Sequence, residues 1–179
     1  ANINRLVLEG ARLTDDEQVV AVASRDRDRA ESYAREHDIP RAHGSYDALL
    51  ADDDVDAVYI SLPNSLHHEW TMRALEAGKH VLCEKPYTRH AVEVEEAFGL
   101  AERNALLLSE AFMWRHNPQT TRFLELLPEI GELQTIRATF GFVLNRTEDV
   151  RLRAGLDGGA LMDVGCYCVS GARLLAGEP

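Results

Sequence analysis

Glu84-Lys85-Pro86 is the sharpest chemical signal in the chain. Of 19 cationic residues among 179, only Lys79 and Lys85 are lysines, so a lysine directly before a proline is conspicuous. Proline fixes the turn, and an X–Pro bond that adopts the cis isomer aims the preceding side chain to one side. An ammonium so placed can donate or relay a proton. Asp163 and Tyr167 offer the complement. Spaced i to i+4, they share one face of a helix. A tyrosine hydroxyl close to an ammonium has its phenolate stabilised and can take a proton from an alcohol, while Asp163 orients a substrate or holds the lysine. Ser24, Arg25 and Arg29 make a third group, with a hydroxyl and two guanidiniums within one helical turn. Guanidiniums present paired donors matched to phosphate oxygens.

Elements must bring these groups together. Short apolar runs at 18–24, 55–62, 80–84 and 106–109 predict strands buried on both faces. Between them, helices are predicted over 26–37, 46–51, 67–77 (closed by Gly78) and 91–104, and an earlier one from the spacing of Ile3, Leu6, Val7 and Ala11. Strands alternating with longer helices mean βαβ units, right-handed crossovers and a parallel doubly wound sheet. After Pro118 the pattern changes. A helix over 119–127 leads into 133–142, which alternates like an antiparallel strand with one wet face. A polar loop at 145–153 then precedes a last helix over 160–175. The chain is therefore expected to divide into an α/β unit at 1–117 and the start of an α+β substrate or oligomerisation domain at 118–179. One new strand is not a sheet, so the chain reads as a fragment.

In doubly wound sheets, ligands bind beyond the carboxyl ends of the strands. Ser24-Arg25-Asp26, Leu62-Pro63-Asn64, Glu84-Lys85-Pro86 and Glu110-Ala111-Phe112 all fall there. At the first of these ends a carboxylate selects NAD through the ribose 2′-hydroxyl, whereas cations select NADP. Ser24, Arg25 and Arg29 favour NADP, with Asp26 keeping NAD open. Trp114-Arg115 lies just past a strand end, where it can wall the same pocket. A metal centre is not expected, because Cys166-x-Cys168 with His67, His68 and His116 lacks a second ligand pair at zinc spacing. Ser61, Ser65 and Ser109 show no nucleophile elbow, so hydrolase chemistry is unsupported. With 30 acidic residues against 19 basic, the formal charge is −11, which argues against nucleic-acid and anionic-membrane partners. No apolar run approaches the roughly 20 residues of a spanning helix. The three cysteines, Cys83, Cys166 and Cys168, are odd in number and sparse, which points to a reducing, cytoplasmic setting.

Taken together, Ala23-Ser24-Arg25-Asp26, Pro63-Asn64-x-x-His67, the block from Ala77-Gly78-Lys79-His80-Val81 to Glu84-Lys85-Pro86, and Gly159-Ala160-Leu161-Met162-Asp163-Val164-Gly165-Cys166-Tyr167 resemble the glucose–fructose oxidoreductase/inositol dehydrogenase/rhizopine catabolism (Gfo/Idh/MocA) family. Glu110-Ala111-Phe112-Met113-Trp114-Arg115 with Tyr167 resembles the branch containing dihydrodiol dehydrogenase and NADP-dependent D-xylose dehydrogenase. Many relatives have histidine where Tyr167 stands. The resemblance implies a Rossmann domain followed by an α/β domain whose open, mostly antiparallel sheet builds homo-oligomers. It implies hydride transfer between NADP and a carbon of a sugar or cyclic polyol. Lys85 and Tyr167 would form the proton-transfer pair, with Asp163 supporting them. Ser24, Arg25 and Arg29 would hold the 2′-phosphate. Leu62, Asn64, His67, Glu84 and Lys85 would line the cofactor, with Arg115 near it. Ala1-Asn2-Ile3 looks like the tail of the family's glycine fingerprint, whose strand and turn are absent, so the pyrophosphate loses its main anion site. A non-catalytic dinucleotide-sensing regulator and a sugar-nucleotide 3-ketoreductase are the alternatives on the same scaffold.

Overall fold

The computed structural model describes residues 3–14 and 17–177; Ala1 and Asn2 of the expected fingerprint tail lie outside them. Helix α1 (Ile3–Ala11) precedes a run of βαβ units: β1 (Ala21–Ala23), α2 (Arg27–His37), β2 (Arg41–His43), α3 (Tyr46–Leu50), β3 (Ala57–Ile60), α4 (His67–Glu76), β4 (His80–Cys83), α5 (Ala91–Arg103) and β5 (Leu108–Glu110). All the strand pairs are parallel. The α/β class with parallel sheets thus follows the alternating pattern of apolar runs and helices. Local chemistry sets the boundaries. The Asp26 carboxylate accepts the Arg29 amide at 3.0 Å and so starts α2, and Asp38 closes that helix in a left-handed conformation. Ser45 caps α3 in the same way as Asp26 caps α2, because short polar side chains satisfy the free amides of a first turn.

The sheet comes in two pieces: β1 pairs with β2, and β3-β4-β5 form a separate ladder. Strand β2 has no counterpart among the expected elements. Arg41-Ala42-His43 has no apolar run, and only its pairing with β1 (Ala21 opposite Arg41) makes it a strand. Between β1 and β3 lies an apolar slot of about 280 Å³, lined by Val20, Val22, Val58, Ile60, Leu8 and Trp70 among others. The strand order 3-2-1-4-5-6 of doubly wound nucleotide-binding sheets puts its first strand innermost. The slot holds that place in the order.

The main core lies between β3-β4-β5 and helices α4 and α5. Val58, Ile60, Val81 and Cys83 meet Ala74, Leu75, Ala97 and Ala101. Alanine on the helix faces lets α4 and α5 lie close over the strands, and Leu75 fills the space between as the largest fully buried side chain.

Beyond β5 come a 3₁₀ turn (Met113–His116), α6 (Pro118–Leu126), short 3₁₀ turns at Val150–Leu152 and Ala154–Leu156, and a π-helical segment (Leu161–Gly165) that runs into α7 (Cys166–Ala176). Two expectations are corrected here. The 133–142 stretch carries no strand ladder, since an alternating strand needs a paired neighbour and none lies beside it among the described residues. The last helix opens with a wide π-turn where a plain α-helix is predicted. Gly165 permits that turn: a Cβ there would sit 2.9 Å from the Leu161 Cδ1 atom.

Leu75→Ala should cost about 3 kcal/mol of unfolding free energy, since it empties a fully closed site. A lower urea midpoint at an unchanged slope is the expected result, and a midpoint shift worth less than about 1 kcal/mol would contradict this placement of the core.

Candidate active site

Every strand of the larger sheet ends at the same place. Glu84 and Lys85 follow β4 directly, and their surroundings fix both. Tyr59 and Leu82 are cross-strand partners, so Glu84, two residues further on the same face, lies diagonally beside Tyr59. The Tyr59 hydroxyl donates to Glu84 Oε1 at 2.5 Å, and the Lys85 amide donates to Oε2 at 3.3 Å. Burial first, then the Glu84 carboxylate, push the Tyr59 phenol far above its ordinary range, so it remains a donor. The Lys85–Pro86 peptide is cis. The next amide, of Tyr87, donates to Glu110 Oε1 at the end of β5, at 2.7 Å.

His67 sits beneath this turn with no exposed surface. Its Nδ1 lies 2.9 Å from the Pro86 carbonyl and its Nε2 2.8 Å from the Leu62 carbonyl. The ring therefore bolts the end of β3 to the turn after β4. This corrects the expectation that His67 touches a cofactor, because a side chain with no exposed atom acts on the groove only through the backbone it holds.

Lys85 reaches across to the last helix. Its ammonium donates to the main-chain carbonyl of Asp163 at 2.6 Å, lies 3.7 Å from Asp163 Oδ1 and stands 4.8 Å from the centre of the Tyr167 ring. The three residues singled out for proton chemistry are thus in contact. Phe112 and Phe140 meet the Tyr167 ring edge-on, and its hydroxyl points to Met113 Sδ at 4.0 Å. The electrostatics differ from expectation. Burial raises the Tyr167 phenol to about 12, with Glu84, Cys166 and Asp163 adding to the shift. An acidified phenol is predicted from Lys85, but the ammonium is bonded to Asp163 and lies over the ring face, leaving burial and the acids to prevail.

The helix carrying Asp163 and Tyr167 is anchored from below. Arg115 donates to the Ser170 hydroxyl at 3.0–3.1 Å and to the Ser170 carbonyl at 3.4 Å, so its guanidinium serves the helix. The Asn64 amide donates to the Asp157 carbonyl at 2.9 Å, and Arg89 pairs with the Asp157 carboxylate at 3.2 Å. Leu62 is half-buried next to Asn64, and Ile3 opens α1, also half-buried.

At the end of β1, Ser24 is half-buried while Arg25 and Arg29 are exposed. Among the described residues neither guanidinium has a carboxylate partner within 4 Å. The Asp26 carboxylate is committed to its own helix. Sequence reasoning missed Tyr59 and Arg151, and it named Glu110 only as part of a strand end. Tyr59 was accessible through strand register, since its diagonal neighbour is Glu84. Arg151, in a polar loop rich in arginine, carries no such signal.

Parallel strands with polar groups gathered past their carboxyl ends define a Rossmann-type architecture. Residues 2–112 match the oxidoreductase family with an NAD-binding Rossmann fold, and residues 128–179 match the GFO/IDH/MocA C-terminal domain. The chain belongs to the GFO/IDH/MocA oxidoreductase family. It is 48% identical over 166 residues to a D-xylose 1-dehydrogenase (NADP(+)) of Haloferax volcanii, covering 92% of this chain and 51% of that protein. It is 42% identical over 164 residues to the human trans-1,2-dihydrobenzene-1,2-diol dehydrogenase, covering 90% of this chain and 49% of that one. The crystal structure of a 3-ketoreductase from Actinomadura kijaniata with NADP and TDP-benzene superimposes with a TM-score of 0.86 at 41% identity, over 95% of this chain and 53% of the other. The chain spans about half the length of the curated relatives it matches.

His67→Leu should destabilise the fold by about 1–3 kcal/mol, because it removes the ring donor lying between the Pro86 and Leu62 carbonyls. Thermal unfolding measures the loss; a melting temperature within a degree or so of the parent would mean the ring is no strut.

Proposed function

We propose that the protein is an NADP-dependent oxidoreductase that moves a hydride between the cofactor and a CH–OH carbon of a sugar or cyclic diol. The observation that carries this reading is the convergence of Lys85, Asp163 and Tyr167 past the end of β4, with the Lys85 ammonium 4.8 Å from the tyrosine ring. The relatives named above, an NADP(+)-linked D-xylose dehydrogenase and a dihydrobenzenediol dehydrogenase, support it. The groove fits the cofactor at its other end as well. Two exposed guanidiniums and the Ser24 hydroxyl suit a 2′-phosphate, while one oxygen of Asp26 caps its own helix. NADP supplies the hydride acceptor or donor when bound; the chain supplies binding, orientation and the proton. Tyr167 exchanges that proton with the substrate oxygen. Lys85 keeps a positive charge over the ring, and Asp163 fixes Lys85 in place.

The raised Tyr167 phenol gives the chemistry a direction. Held near 12, it keeps its proton at neutral pH and is a donor ready to protonate a developing alkoxide, which suits carbonyl reduction. That favours a reductive role as a second reading, of the kind the Actinomadura kijaniata 3-ketoreductase is named for. The proposal extends to organisation. The chain divides near 117/118, and the segment 133–142 with exposed Phe140 and Phe142 meets a sheet neighbour in a homo-oligomer. The free cysteines support a reducing, cytoplasmic setting. No helix among the described residues is long and apolar enough to cross a membrane.

The test is reduced-cofactor absorbance across a panel of aldoses, cyclic diols and inositols, with NADP and NAD in parallel. Turnover of at least one class with NADP is expected, and none with any substrate in either direction would refute the reading. Lys85→Met and Tyr167→Phe should each lower kcat by about 10²–10⁴-fold with the KM for NADP little changed; normal turnover in both removes the proton-transfer pair. Arg25→Ala should raise the KM for NADP about tenfold and leave that for NAD alone. Because the base form of Tyr167 grows about tenfold per pH unit below its pKa, oxidation should steepen towards alkaline pH while reduction stays flat. An oxidation rate independent of pH would exclude Tyr167 as the base.

A further inference from the structure

Asp163 has two oxygens and two cationic neighbours. Oδ1 faces Lys85 at 3.7 Å, and Oδ2 pairs with Arg151 Nε at 3.0 Å. Arg151 is itself held in place. Its Nη1 meets both oxygens of Asp149 at 3.2 and 3.3 Å, while Asp149 also takes the Arg151 amide at 3.0 Å to start the Val150–Leu152 turn. On the other side, the Arg151 carbonyl accepts the Gly159 amide at 2.7 Å. It packs so tightly on Gly158 that a Cβ there would lie 2.6 Å from its oxygen. Gly159 in turn accepts the amide of Asp163 at 2.9 Å. The backbone of the loop and the first turn of the last helix are thus buckled together around one guanidinium.

We infer that Arg151 is a positioning residue for the Lys85–Tyr167 pair: it holds the outer oxygen of Asp163 and so keeps the Lys85 ammonium over the tyrosine. The inference rests on the oxidoreductase reading above. Without Arg151, both carboxylate oxygens are free to turn to Lys85 and draw the ammonium off the ring. A cation beside Asp163 also reduces the negative field that Tyr167 experiences. The charged and titratable groups facing this cluster are Glu84 at the end of β4, Glu110 at the end of β5, Tyr59 on β3, Cys166 on α7, and Asp149 with Arg146 in the loop. Only Arg146 among these is cationic, and it acts on Asp149. Arg151 is therefore the cation that balances Asp163 from outside.

The experiment compares Arg151→Met, Arg151→Lys and Asp149→Asn in the protein. Arg151→Met should lower kcat for oxidation about tenfold, leave the KM for NADP unchanged, and move the alkaline rise of kcat/KM up by about half a pH unit. Arg151→Lys should recover most of both effects, because it restores the charge. Asp149→Asn, which loosens Arg151 without touching Asp163, should shift the rise in the same direction by less. A reading independent of activity comes from the two lysines. With isotope-labelled side-chain amines, Arg151→Met should move the Lys85 resonance, while that of Lys79, bonded to the Asp52 carbonyl at 2.9 Å, stays in place. An unchanged pH profile with only a lowered melting temperature, or an unmoved Lys85 resonance, overturns the inference. Should the parent protein turn over no sugar or diol, the functional reading fails, and the resonance alone then decides whether Arg151 acts on Lys85.

Discussion

The bond from the Lys85 ammonium to the Asp163 carbonyl, 2.6 Å long and closing 78 positions of sequence, is the contact on which the rest of the site depends. A side chain only 12% exposed carries a full charge there, and a charge so placed persists only with partners that replace its water. The carbonyl, the nearby carboxylate and the face of the Tyr167 ring supply them. The supporting contacts lead back to this point. Tyr59 steadies Glu84, Glu84 and Glu110 hold the amides on either side of the turn, and His67 bolts that turn to the end of β3. Arg115 does for the helix what His67 does for the turn.

Tyr167 sits in a balance of opposed terms. The ammonium over its ring face favours the phenolate, while apolar neighbours and three acidic groups oppose it, and the opposition prevails. A phenol in that condition is a proton donor by default. Added positive charge near the ring, or a higher pH, moves it towards the base form.

The alternation of apolar runs and helices made the parallel α/β class legible from sequence, and the residue types at strand ends located the groove. Lys85, Asp163 and Tyr167 were legible because each departs from what surrounds it: a rare lysine before proline, and an acid and a phenol one turn apart. Other features left no trace of that kind. Strand β2 is defined by its neighbour and has no apolar run of its own. His67 looks identical in sequence whether it faces a ligand or two carbonyls, and only its zero exposure decides. The acidity of Tyr167 depends on where the Lys85 charge is directed, which spacing cannot say. The wide turn at Leu161–Gly165, of a kind frequent at functional positions, has no such marker among its residues.

The slot between β1 and β3 separates the groups placed to meet the two ends of one ligand. Among the described residues no ladder joins the two pieces of sheet, and Val20, Ala21, Leu49 and Leu50 pack against the larger core across the gap. Arg25 follows the end of β1 and Lys85 the end of β4, so a molecule that engages both cations must be long enough to bridge the slot.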